Sequence, residues 1–144
     1  MAVCIVKRGN MRRNGREAVY KLLFSNNFND AFDNEFKEII FTEEKLTKED
    51  REFAESLINL YNEHKAEIDG VITELAKGYK LERIYATDKC ALQIAIIEMT
   101  YIKEIPYIVS ISEAMELVRK YSTAESPNFV NGILAKVAEL VAKG

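Results

Sequence analysis

The amino-acid pattern predicts an all-α, compact bundle of about seven helices, and three observations carry that prediction. Apolar residues recur at the 3,4 spacing of a buried helical face along most of the 144 residues. Only 6 Gly and 2 Pro are present, too few chain-turning residues for a sandwich or barrel of many short strands. Two apolar runs are preceded by Ser/Thr-x-x-acid sequences of the kind that open helices. At this length the chain is one domain with a real core.

Taken in order, Met1–Asn10 has no clear periodicity and Gly9-Asn10 reads as a break, so residues 1–10 are expected to be an extension and residues 11–144 the domain. From Arg12 the pattern is helical, with Ala18, Val19, Leu22 and Leu23 on one face, Arg12, Arg13 and Arg16 at the entry, and Asn26-Asn27 at the end. A second helix carries Phe32, Phe36, Ile39 and Ile40 on one face. After a charged loop, Thr47-Lys48-Glu49-Asp50 has the form of a capping box. It opens a third helix whose inward stripe is Phe53, Leu57, Leu60, Tyr61, His64 and Ile68. Asp69-Gly70 marks a kink or turn before a fourth piece with Val71, Ile72 and Leu75.

Thr87–Tyr101 is different in kind. Cys90, Ala91, Leu92, Ile94, Ala95, Ile96, Ile97 and Met99 leave almost no polar face, so this helix is expected to be central and surrounded. Pro106 closes the following loop, and Ser110-Ile111-Ser112-Glu113 reads as the capping box of the next helix, with Ile111, Ala114, Met115, Leu117 and Val118 inward. Ser126-Pro127 reads as an N-cap followed by proline at the first helical position. The last helix is expected to bury Phe129, Val130, Ile133, Leu134, Val137 and Leu140.

Composition excludes much chemistry. The two cysteines, Cys4 and Cys90, make no disulfide framework and point to a reducing compartment. With the one histidine, His64, on an apolar face, a zinc site or a Ser-His-Asp triad has too few members, and no metal or cofactor is expected. There is no glycine-rich phosphate loop and no nucleophile beside a base. The missing nucleophile makes a non-enzyme the expectation, and, since no apolar run approaches the roughly 18 residues that span a bilayer, a cytoplasmic protein is expected. The net charge of −3 conceals an asymmetry. Residues 1–21 hold six basic side chains against one acidic, a local charge of +5, whereas the remainder has 14 basic and 22 acidic, or −8. A basic arm on an acidic body suits local phosphate binding. Tyr20 and Phe24 just beyond the arm supply faces on which unpaired bases stack.

Three segments together resemble the NusB family of transcription antitermination factors. They are the arginine-rich run Arg12 to Phe24, the central run Thr87 to Met99, and the stretch from Ile105-Pro106-Tyr107 to Leu134 with its Phe129-Val130-Asn131-Gly132 signature. The resemblance implies an all-helical fold of two small subdomains and a function without catalysis. It implies binding of boxA-type single-stranded RNA from ribosomal RNA leaders, together with the small-subunit ribosomal protein NusE. It also implies entry into an RNA polymerase complex with other Nus factors. Carried over residue by residue, it places the arginine-rich motif on Arg12, Arg13 and Arg16, RNA-facing aromatics on Phe24 and Phe129, acidic positions near RNA on Glu82 and Asp88, and a loop acid on Glu125. Lys89, beside Asp88 in the first turn of its helix, is expected to join the three arginines in neutralising phosphates.

The sequence departs from the family pattern at three places. Asn14-Gly15 dilutes the arginine run, and glycine inside a helix costs about 1 kcal/mol relative to alanine, so a frayed arm is expected. Gln93 stands where many relatives carry arginine, so an ion pair with a carboxylate such as Glu113 becomes a neutral hydrogen bond. Pro127-Asn128 replaces a more polar, often basic pair. Two other readings compete: an RNA-binding domain related to ribosomal RNA cytosine methyltransferases, and a helical module that homodimerises through its basic arm.

Overall fold

The computed structural model describes residues 2–26, 34–78 and 83–143, with side chains from residue 12 to residue 142. Every regular element among the described residues is a helix: α1 (Ala2–Asn26), α2 (Asn34–Glu43), α3 (Lys48–Leu75), α4 (Ala86–Tyr101), α5 (Tyr107–Tyr121) and α6 (Ser126–Lys143). Two expected interruptions are absent. α1 passes straight through Gly9-Asn10, and α3 passes through Asp69-Gly70. A lone glycine weakens a long helix by about 1 kcal/mol, too little to end it against its neighbours. The departure from helical dihedrals in α3 falls instead at His64, with φ −120° and ψ 15°. The chain divides into two compact units, residues 1–59 and 60–144, the division falling inside α3.

In the first unit, Ala18, Val19, Leu22 and Leu23 are buried as their spacing predicts. The face of α2 is rotated from the expected one: Ile40 and Phe41 are buried, whereas Phe36 and Ile39 are 38% and 53% exposed. Phe32 lies outside the described residues. Polar partners explain the rotation. Lys37 bonds Glu55 of α3 at 2.8 Å and Glu44 pairs with Lys21 of α1, so positions 37, 40, 41 and 44 form the inward row. The loop after α2 closes with the Leu46 N–H donating to the Phe41 carbonyl at 3.2 Å and the Lys45 N–H to the Thr42 carbonyl at 3.0 Å. That pattern needs a left-handed residue, and Lys45 takes it with φ 55°. The Thr47 capping box forms as expected. The Asp50 N–H donates to Thr47 Oγ1 at 3.1 Å, and the Thr47 N–H donates to Asp50 Oδ2 at 3.3 Å.

In the second unit, α4 is the surrounded helix, packed against α5 and α6 and buried from Cys90 through Met99. Its buried polar groups find partners other than those expected. Gln93 Nε2 donates to Asp69 Oδ1 of α3 at 2.9 Å, so Asp69 takes the place anticipated for Glu113. Ser110 is not a cap. α5 begins three residues earlier, behind Pro106, and Ser110 Oγ donates to the buried Glu98 carboxylate at 3.0 Å. A buried carboxylate requires such a donor, which outranks the capping pattern in the sequence. His64 stacks on Tyr101 with ring centroids 4.0 Å apart, and the Tyr101 hydroxyl donates to Glu67 at 3.0 Å. Burial, then the bond to Glu67, pushes the Tyr101 hydroxyl above the usual phenol range. In α6, Val130, Ile133, Leu134 and Val137 are buried, but Leu140 is 54% exposed because the helix runs past the core.

Candidate nucleic-acid interface

The arginine-rich run folds as one face of α1, and the structure separates its members by what they touch. Arg16 is 1% exposed, and its guanidinium carbon lies 5.2 Å from the centroid of the Phe53 ring. Arg12 lies at the same distance from that ring. Both are within the range in which an aromatic face attracts a cation. Arg13 is exposed, as is Phe24 near the end of the helix. Gly15 sits between these arginines with a packing role. A β-carbon there would meet the Asp50 carbonyl oxygen at 3.0 Å and Phe53 Cδ2 at 3.4 Å. The glycine therefore lets α1 approach the capped start of α3, and the expectation that it frays the arm is replaced by a close helix crossing.

The second set of candidates converges in the C-terminal unit. A cleft of about 160 Å³ is lined by Arg83, Ile84, Tyr85, Asp88, Thr123, Glu125, Ser126 and Phe129. Asp88, in the first turn of α4, is 3% exposed and accepts from Ser122 Oγ at 2.6 Å. Ser122 Oγ in turn lies 2.7 Å from Thr87 Oγ1 and 2.9 Å from Ser126 Oγ. Ser126 is not the simple N-cap its position suggested. Its Oγ accepts from the Thr123 N–H at 3.2 Å and bonds the Thr123 hydroxyl at 2.8 Å, so it braces the turn that leads into α6. This hydroxyl chain fixes the wall of the cleft. Glu125 stands exposed at the rim, and Tyr85, 62% exposed, presents an unburied ring ahead of α4.

The cleft thus offers a cation, an accessible carboxylate and two aromatic rings, a combination that can hold an unpaired base and its phosphate. The NusB family model matches residues 13–139. The chain belongs to the NusB family. The transcription antitermination protein NusB of Ruminiclostridium cellulolyticum is 38% identical over 128 residues, covering 89% of this chain and 88% of its own. NusB of T. maritima superposes with a TM-score of 0.79 at 34% identity, covering 89% of this chain and 90% of that one. A structure described as antitermination factors NusB and NusE in complex with double-stranded RNA shares the fold, with a TM-score of 0.82 at 21% identity over 91% and 98% of the two chains.

Of the positions carried over from the NusB family, Asp88, Glu125 and Phe129 meet in the cleft; Lys89, expected beside them as a phosphate contact, does not line it. Glu82 lies outside the described residues. Arg12, Arg13, Arg16 and Phe24 belong to the other unit. The sequence reading missed Arg83 and Tyr85. Both precede α4 in a segment without periodicity, and the one available signal was an aromatic directly ahead of a helix start. No helix among the described residues is long and apolar enough to cross a membrane.

Proposed function

We infer that this chain is a transcription antitermination factor that binds boxA-type single-stranded RNA together with a NusE partner and joins an RNA polymerase complex with other Nus factors. The observation that carries the reading is the cleft at Phe129, where Asp88, Glu125 and Phe129 gather beside Arg83 and Tyr85. Support comes from the relatives named as antitermination proteins and from the neighbouring fold described with NusE and RNA.

In this reading the protein is a cytoplasmic adaptor with no catalytic step. Arg13 faces phosphates with Arg12 and Lys89 beside the strand, Phe24 and Phe129 wall the bases, and Glu125 accepts from a base amino group. Carboxylates take that role toward cytosine in DNA grooves. Arg16 and Asp88 act by holding their neighbours. Residues 1–10 extend the basic arm ahead of the family domain. The test is fluorescence anisotropy of a boxA-type strand, a scrambled strand and the boxA duplex, titrated with this protein alone and with NusE at several salt concentrations. Selective binding to the single strand that tightens with NusE, with a log–log salt slope of about −2 to −3, is the expected result. Equal binding of boxA and scrambled strands with NusE present would overturn it.

A further inference from the structure

Phe129 has a second cavity on its flank. Besides the cleft described above, it lines one of about 290 Å³ whose other walls include Leu75 and Lys77 at the end of α3 and Gly132, Ile133 and Lys136 of α6. The two cavities differ in charge. The first is lined by Arg83, Asp88 and Glu125. The charged residues lining the second are Lys77 and Lys136, both exposed, and among the described residues no carboxylate pairs with either. Gly132 supplies the open side: a β-carbon there would have nothing within 4 Å.

We propose that this cavity is a second nucleotide subsite, which takes the next residue of the same RNA strand with its phosphate on Lys77 and Lys136 and its base or ribose against Phe129 and Ile133. The proposal rests on the RNA-binding reading above and extends it across Phe129. Continuity favours this occupant, because one aromatic ring lines both cavities and a strand that bends round it passes from the first into the second. Charge favours it too: a wall with two lysines and, among the described residues, no acid attracts a phosphodiester, and an apolar floor of leucine, isoleucine and phenylalanine covers a base face. A cavity of this size lies near the lower end of those that hold small ligands.

The experiment compares the wild-type chain with K77Q/K136Q and with Gly132→Met by anisotropy. The RNA is a boxA-type strand and the same strand shortened one nucleotide at a time from each end, across a salt series. For the full strand, K77Q/K136Q is expected to bind about five- to tenfold more weakly, with a salt slope shallower by about 1.4, since each phosphate contact on a single strand contributes about 0.7. Gly132→Met fills the cavity and is expected to bind severalfold more weakly, with the melting temperature unchanged or raised because methionine is the better helix former. Shortening the strand from one end should bring wild type down to the variants and erase the difference. Variants that match wild type on the full strand overturn the subsite and leave the first cleft standing, as does a loss equal for every strand length. Unaltered RNA affinity together with lost self-association on sizing would give the cavity to a second copy of the chain. Failure of the wild type itself to bind any strand, with NusE added, overturns the RNA reading instead.

Discussion

Both units carry a charged motif, and each divides it between packing and solvent by a different means. In the N-terminal unit the divided residues are arginines of one helix: Arg16 is sunk to 1% exposure against Phe53, whereas Arg13, three positions earlier, faces water. In the C-terminal unit they are two carboxylates of one cleft: Asp88 is held under a chain of hydroxyls, and Glu125 stands at the rim. The arginine lies against a ring, a contact with loose geometry, and the aspartate takes a short directional hydrogen bond from Ser122. A motif that looks uniform in sequence is therefore half scaffold and half surface, and substitutions should separate the halves by stability against binding.

Arg16→Ala is expected to give the largest effect. It removes a large, fully buried side chain and its contact with the Phe53 ring, and should destabilise the chain by about 3 kcal/mol in chemical denaturation. Asp88→Ala comes next, at about 2 kcal/mol, because it strips the carboxylate acceptor from Ser122 and forces the hydroxyls of the turn before α6 to re-pair among themselves. If Arg16→Ala melts like the wild type while RNA affinity falls, the division of the arginine motif is wrong. Gly15→Ala sharpens the same point. Helix propensity alone predicts a gain of about 1 kcal/mol. The added methyl meets a backbone carbonyl at 3.0 Å in a helix start pinned by its capping box, so a net loss of about 1 kcal/mol is expected. A stabilised Gly15→Ala would mean that α1 can lift away from α3 without cost.

The helices were legible because their stripes are long and periodic. The surrounded character of α4, the capping box at Thr47 and the buried Ala18–Leu23 face all follow from spacing. Gly15 could not be read, because the sequence shows a poor helix former and only the crossing with Asp50 and Phe53 shows why one is needed. Ser110 and Ser126 misled for a related reason. Each matches a capping pattern, but Ser110 answers to the buried Glu98 carboxylate, and Ser126 reaches backwards to Thr123. The buried face of α2 departs from its apolar spacing because Lys37 and Glu44 turn inward to pair with Glu55 and Lys21, a choice of partners the spacing does not show. The site divides the same way. Phe129, Asp88 and Glu125 were reachable through the family resemblance, whereas Tyr85 and Arg83 come together with them only through the turn that leads into α4.

The exposed halves of the two motifs should show small effects on stability and opposite effects on binding. Arg13→Ala is expected to weaken every RNA two- to fivefold, boxA or scrambled, and to make the salt slope shallower by about 0.7, with a far smaller change in melting than Arg16→Ala, since a phosphate contact carries no sequence information. Glu125→Gln tests the other sign. A rim carboxylate repels phosphates in general and accepts from particular bases, so neutralising it removes a penalty common to all strands and weakens a contact specific to one. Affinity for the scrambled strand should rise by up to about twofold as the repulsion goes. Affinity for the boxA strand should stay level or fall, because a carboxylate is the stronger acceptor for a base amino group. The ratio between the two strands, rather than either affinity, is the quantity to measure. A ratio unchanged by Glu125→Gln, with both affinities rising together, would reduce Glu125 to a repulsive surface charge and leave base recognition in the cleft to Phe129 and Tyr85.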